Sequence, residues 1–204
     1  MNYLFKKETN NPQQYYWYQN GLTQEEVEKV IKLAAEIPKH TASIGGESKK
    51  DNIKETRSSS VKWIPKSSEW DWLYERMLYL AEDANNAIWK FDLISAPEKI
   101  QYTEYYASES GHYNWHQDIM DGEQGSKRKV SITIQLSDDG DYKGGDLEIS
   151  LGGDGSGGLA TNIVCPRGLG VGVLFPSYMM HRVTRVTEGT RKSLVIWVGG
   201  SHYR

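Results

Sequence analysis

His116 and Asp118 stand two residues apart in GHYNWHQDIMD, residues 111 to 121, of a chain with only five histidines. Imidazole nitrogen and carboxylate oxygen are both metal-ligand atoms. On a β-strand, positions i and i+2 share a face about 6 to 7 Å apart along the strand, so this pair can share one ion. A third ligand must come from elsewhere. His181, which comes after FPSYMM and opens the segment HRVTRVT, is the candidate. Two neutral imidazoles and one carboxylate on one face of an octahedron suit a ferrous ion, with open positions for a bidentate cosubstrate and molecular oxygen. Zinc accepts the same donors, so donor type leaves the metal open. An isolated H-x-D is common by chance, and its weight here comes from the residues downstream of it.

Ten residues beyond His181 lies Arg191, in VTEGTRKSLVIWV. A guanidinium fork matches a carboxylate with two parallel hydrogen bonds. Arg191 can therefore hold the far end of an extended dicarboxylate whose near end meets the metal. In VSITIQL, residues 130 to 136, Val130, Ile132, Ile134 and Leu136 alternate with Ser131, Thr133 and Gln135. One face of such a strand packs on apolar neighbours, while the other meets water or a polar pocket. Thr133 and Gln135 are candidates to line that pocket.

Other polar residues have blander readings. His112 reads as a rim or turn histidine, Tyr113 as packing, Asp121 as a solvated loop acid, and His40 and His202 as surface. Cys165, the single cysteine, reads as a small buried residue and excludes an internal disulfide. Arg128 reads equally as structural or substrate-facing. Trp197 reads as core, and Trp63 and Trp115 as packing or substrate-facing.

The elements that must position these residues fall into two halves. GLTQEEVEKVIKLAAEI, residues 21 to 37, reads as a helix, with Thr23 and Glu26 at capping-box spacing and Pro38 as the stop. Residues 39 to 58 read as an extended polar loop able to close over a substrate, and residues 60 to 65 as a short strand. Residues 67 to 91 read as a second helix capped by Ser67 or Ser68. After Pro97 the pattern becomes eight short β segments, at 100–107, 113–118, 129–137, 145–151, 162–166, 170–176, 181–187 and 191–198. Glycine-rich residues 151 to 160 read as a loop. Short strands at this spacing predict a sandwich or barrel, so the fold class is mainly β with flanking helices. The 204 residues read as a single domain, with 1–98 as helices and support and 99–199 as the β core.

Composition sets the outer bounds. The net charge of -3 gives no global pull towards nucleic acid or anionic membrane. No apolar run approaches the roughly 20 residues that span a bilayer, and the N-terminus lacks a signal-peptide core. A cytoplasmic location is the expectation. The sequence carries no reading of the oligomeric state.

The order Y-x-x, then G-x-Y-x-x-H-x-D, R-K-x-S, Q-L-S-D, G-G-D-L and LFPSYMMHRVTRVTEGTRKSLVIWV resembles the 2-oxoglutarate and iron(II)-dependent oxygenases, and within them the prolyl 4-hydroxylase-like, PKHD-type branch. The resemblance covers residues 57 to 198 and is dense from 101 onward. It implies a double-stranded β-helix, or jelly-roll, buttressed by N-terminal helices. It implies Fe(2+) held by His116, Asp118 and His181, and 2-oxoglutarate held through its distal carboxylate by Arg191. A tyrosine on the preceding strand also reaches the cosubstrate in this family. Tyr105 is the choice because Gln101, Thr103 and Tyr105 share a face, with Tyr106 and Tyr102 as rivals. Ascorbate is a further cofactor that the resemblance admits. The implied activity is hydroxylation of a C–H bond with molecular oxygen, on a prolyl residue of a peptide or protein. Asp118 favours hydroxylation over halogenation, since related halogenases lack the carboxylate. A free amino acid or small metabolite is the alternative substrate. A non-catalytic metal-binding jelly-roll and a zinc hydrolase are the rival classes. Nucleobase demethylases carry a second arginine that RKSLVIWVGG lacks, so no nucleic-acid partner is expected.

Overall fold

The structure, a computed structural model, describes residues 14–42, 55–119, 127–152 and 161–202. Helix α1, Gln24–Ala34, starts on the expected capping box: Glu26 N–H donates to the Thr23 hydroxyl, and Thr23 N–H donates to the Glu26 carboxylate at 2.9 Å. It buries Val27, Val30 and Ala34. Helix α2, Asp71–Ala84, begins later than the expected position at Ser67 or Ser68. No side chain caps it; Trp70 occupies the cap position, with its own N–H donating to the Ser67 carbonyl. The Trp70 indole is buried, so apolar packing anchors this helix start where a hydroxyl was expected. A π-helical turn, Asn85–Trp89, continues α2 and ends at Lys90 in the left-handed region.

Fourteen strands are described where the sequence signalled nine. Seven lie near their expected bounds: β4 Ser60–Ile64, β6 Ile100–Tyr106, β7 His112–His116, β8 Arg128–Gln135, β10 Leu147–Ser150, β11 Asn162–Val164 and β12 Gly172–Pro176, while β13 His181–Val183 stops short of the expected 187. The last strand, β14 Val186–Gly200, runs further than expected. The unexpected strands are short: β1 Tyr16–Tyr18, β2 His40–Thr41, β3 Arg57–Ser58, β5 Leu93–Ser95 and β9 Tyr142–Gly144. Two or three residues carry no usable hydrophobic period, and these segments become strands only because a longer neighbour offers a ladder. Of the expected loops, residues 43–54 and 153–160 lie outside the described residues, as does Asp121.

The strands form two sheets. The nine-stranded sheet runs β1-β12-β8-β14-β6-β4-β2, with β5 and β9 also pairing to β14, and the five-stranded sheet runs β11-β10-β13-β7-β3. All the described pairings are antiparallel. This is the jelly-roll arrangement expected, with one sheet facing the other and helices covering the outer face of the larger. The alternation in β8 assigns its two faces. Val130, Ile132, Ile134 and Leu136 join Leu73, Met77 and Ala81 of α2 in the helix-side core. Strand β14 does the same with Leu194, Ile196 and Val198. The opposite faces of these strands look into the space between the sheets. There a second core of Leu147, Ile149, Val173, Phe175 and Val183 seals one part and leaves the rest as a cavity. Among the described residues, no helix is long and apolar enough to cross a membrane.

Candidate active site

Pairing of β13 with β7 sets His181 directly opposite His116. Their rings lie 4.1 Å apart between centroids. Each imidazole is oriented by its own backbone. His116 Nδ1 lies 2.8 Å from the Asn114 carbonyl, and His181 Nδ1 lies 2.9 Å from the Met179 carbonyl. A carbonyl only accepts, so Nδ1 carries a proton on both rings, and in the neutral ring it is Nε2 that presents a lone pair. The two Nε2 atoms converge on the Asp118 carboxylate, at 3.7 Å from Oδ1 for His116 and 3.6 Å from Oδ2 for His181.

Asp118 does not sit on the ligand strand as the i, i+2 spacing required. Strand β7 ends at His116, and the chain then turns towards β12: Asp118 N–H donates to the Ser177 carbonyl at 2.9 Å. The carboxylate is then aimed by other elements. The Ser131 hydroxyl of β8 donates to Asp118 Oδ2 at 2.6 Å, and Ser131 in turn lies 2.9 Å from the Ser177 hydroxyl. Arg128 Nη1 donates to the Asp118 carbonyl at 3.0 Å. Arg128 is itself clamped by Glu98, with Nε donating to Oε1 at 2.7 Å, and its guanidinium lies over the Trp197 ring. Of its two sequence readings, the structural one describes these contacts.

The ligand atoms of His116, Asp118 and His181 all lie within 4.8 Å of one another. Burial pushes His116 down to about 3, helped by the charge His181 would carry and opposed by Asp118. Burial of Asp118 acts to raise its pKa, but His181, His116 and the Ser131 hydrogen bond together hold the carboxyl below its ordinary value. At neutral pH His116 is therefore a neutral imidazole and Asp118 an ionised carboxylate, the donor state that a divalent ion requires.

These shifts make stability depend on pH. The folded-state values of both His116 and Asp118 lie below their unfolded ones, so the unfolded chain binds more protons as pH falls. The metal-free protein is expected to lose stability from about pH 6.5 downward, the range where unfolded histidine titrates. Thermal melting across pH 4 to 8 reads this. A divalent ion should raise the melting temperature at neutral pH and lose its effect in acid.

A cavity of about 250 Å³ joins this cluster to Arg191. Arg191, on β14, is 1% exposed. Nη1 donates to the Ser193 hydroxyl at 3.2 Å, Nε has no partner, and among the described residues no carboxylate lies within ion-pair distance. A buried guanidinium without a counter-charge is costly. Its aliphatic stem passes over Gly145: a Cβ there would meet Arg191 Cδ at 3.1 Å and Val186 Cγ2 at 2.9 Å, at a φ of +64. The second glycine of G-G-D-L thus leaves the space that the arginine stem occupies.

The remaining sequence candidates separate. Tyr105 lines the cavity opposite Arg191 in the β6–β14 register, its ring 5.4 Å from the guanidinium. Its rivals face away: Tyr102 lies in the helix-side core, and the Tyr106 hydroxyl meets Glu104 and Lys39. Thr133 lines the cavity. Gln135 does not. It is buried two residues further along β8, opposite Ser193, with its Oε1 unpaired. Cys165 is buried, and burial pushes its thiol up to about 12. His112 is buried rather than at a rim, its ring between the Ser110 and Glu55 carbonyls.

Several lining residues escaped the sequence reading, among them three large ones. Trp197 lines the cavity instead of the helix-side core; its place in the β14 alternation with Arg191, Ser193 and Val195 carried that signal. Tyr113 stacks on His116 at 3.5 Å between ring centroids. Arg57, in the polar run TRSSS, carried no signal at all; strand β3 delivers it to the cavity.

Comparison with known proteins bears on these features together. Residues 100–199 match the family described as the 2OG-Fe(II) oxygenase superfamily. A PKHD-type hydroxylase of Teredinibacter turnerae is 36% identical over 107 residues, covering 50% of this chain and 44% of that protein. A PKHD-type hydroxylase of Nitrosomonas europaea is 32% identical over 130 residues, covering 60% of this chain and 53% of that protein. The chain thus spans about half the length of these curated relatives. Two solved structures share the fold. A Pseudomonas putida prolyl-4-hydroxylase has a TM-score of 0.67 at 19% identity, covering 91% of this chain and 92% of that one. A prolyl hydroxylase of Trichoplax adhaerens, in complex with a hypoxia inducible factor peptide fragment, has a TM-score of 0.73 at 16% identity, covering 92% and 84%.

Proposed function

Since the β core, residues 100–199, matches the 2OG-Fe(II) oxygenase superfamily, we propose that the chain is a 2-oxoglutarate- and Fe(II)-dependent hydroxylase acting on a prolyl residue of a peptide or protein. One observation carries the reading: a convergent His116, Asp118 and His181 set and a buried Arg191, with no acidic partner among the described residues, open into the same cavity. The first is a site for a divalent ion, and the second is a site for a carboxylate. A small dicarboxylate that reaches both is what such a cavity selects.

In this reading His116, Asp118 and His181 hold the ferrous ion, and Arg191 takes the distal carboxylate of 2-oxoglutarate, beside Tyr105 and Thr133. When bound, iron and 2-oxoglutarate supply the oxidising power to place one atom of molecular oxygen into a C–H bond, the other ending in succinate as carbon dioxide leaves. The protein supplies geometry, polarity and exclusion of side reactions. Ser131 and Ser177 hold Asp118 in one orientation, so the ligand set is pre-organised. Val195, Leu147 and Phe175 keep the cavity wall apolar, which strengthens the charge interactions inside it. The prolyl substrate rests on the names of the relatives.

The test is direct. The purified chain is given Fe(II), 2-oxoglutarate, ascorbate, oxygen and a panel of proline-containing peptides. Succinate release and peptide mass are measured together. Succinate formed in proportion to peptides gaining one oxygen atom is the expected result. Metal binding with no succinate under any condition would leave a binding module in its place.

A further inference from the structure

Arg57 is the second arginine of the cavity that has no acidic partner among the described residues. It is 8% exposed and lines the same space as the metal-ligand cluster. Its Nε donates to the Ser59 hydroxyl at 2.8 Å, and its guanidinium lies 4.6 Å over the ring of Tyr113, which itself stacks on His116. Stacking and one neutral hydrogen bond therefore hold the guanidinium in place, with its terminal donors left for something else.

A charge inventory of the cavity says what that is. An imidazole that ligates a metal does so as the neutral ring, so His116 and His181 add no charge to a loaded site. Arg128 is cancelled by Glu98. Asp118 contributes one negative charge, and Arg191 and Arg57 one positive charge each. A divalent cation together with a dicarboxylate adds nothing net. One uncompensated positive charge remains, and it belongs to Arg57. Unpaired charge in a partly dry cavity is unfavourable until an anion arrives.

We infer that Arg57 is a specificity-determining residue that binds a carboxylate of the primary substrate. This rests on the hydroxylase reading and deepens it: the substrate presents an anion close to the C–H bond that reacts. The carboxylate has two sources, the α-carboxylate of the reacting residue itself or an acidic side chain next to it in a peptide. Arg57 reaches the cavity from the opposite sheet to Arg191, so cosubstrate and substrate anions have separate partners.

Two matched probe pairs test the inference and separate the sources. N-acetylproline is compared with N-acetylprolinamide, and acetyl-prolyl-glutamic amide with acetyl-prolyl-glutamine amide. Binding is measured by calorimetry to the zinc-substituted protein saturated with 2-oxoglutarate, so no turnover is needed. In at least one pair the carboxylate is expected to bind about tenfold tighter or more, a difference of about 1.4 kcal/mol. Arg57→Gln should erase that preference and Arg57→Lys should keep most of it, with 2-oxoglutarate affinity unchanged in both. The pair showing the preference identifies the source. Equal affinities in both pairs, no binding by any probe, or a preference that survives Arg57→Gln overturns the inference. Failure of the wild-type protein to bind 2-oxoglutarate sinks the hydroxylase reading instead, and the two failures are distinguished in one titration series.

Discussion

Asp118→Asn protein is expected to fold, to lose the stabilisation that a divalent ion gives the parent, and to form succinate more than about 100-fold more slowly. The side chain keeps its shape, and its carbonyl oxygen can still accept from Ser131. What disappears is the charge on which both Nε2 atoms converge. Loss of a partner behind a metal ligand commonly costs about 10- to 100-fold in metal affinity or activity, so loss of an anionic ligand should cost more. A ligand that binds only the folded protein raises its melting temperature in step with its affinity. Melting curves with and without manganese, run beside succinate assays, therefore read the same cause twice. Unchanged metal stabilisation in the variant would remove Asp118 from the ligand set and the ferrous site with it.

The second large effect concerns Arg191, and its sign differs between two measurements. Arg191→Met keeps much of the apolar volume of the stem and removes the charge. Deleting one member of a buried charge pair costs about 2 to 5 kcal/mol of binding. The concentration of 2-oxoglutarate needed for half-maximal turnover is expected to rise by roughly 30-fold or more, at about 1.4 kcal/mol per decade, while the iron requirement stays within about twofold. The ligand-free variant should be as stable as the parent or more so, because an unpaired buried cation has been replaced by an apolar group. Denaturant titration measures this. A large loss of ligand-free stability together with equal losses for iron and 2-oxoglutarate would mark Arg191 as a packing element.

The parts of this site that could be read from the sequence are those where local order and spatial order coincide. Thr23 and Glu26 announced α1 because capping is a matter of three residues. The period of VSITIQL announced two faces because side chains alternate along any strand, and the structure puts apolar residues on one and Ser131 and Thr133 on the other. Convergence of His181 on His116 was a matter of motif spacing, and the β7–β13 ladder is what turns spacing into contact. Asp118 shows the limit. Parity along a strand predicted its direction, but a hydrogen bond to Ser177, 59 residues downstream, carries it out of the strand. Arg57 shows a different limit. Nothing in TRSSS separates a surface arginine from a buried one, because the residues that bury it come from β7 and the opposite sheet. Trp70 replaced a serine cap for the same reason, since its burial is a tertiary fact.

The way the two imidazoles are aimed has a consequence for how this protein tolerates change. Each ring is fixed by a peptide carbonyl two positions upstream, at Asn114 and Met179, and every residue type supplies that carbonyl. The orientation of the two Nε2 atoms is thus written in main-chain geometry, beyond the reach of most single-codon drift at the supporting positions. Sequence divergence can run through residues 114 and 179 while the ring orientation is kept, and only a change that bends the strand itself would erase it.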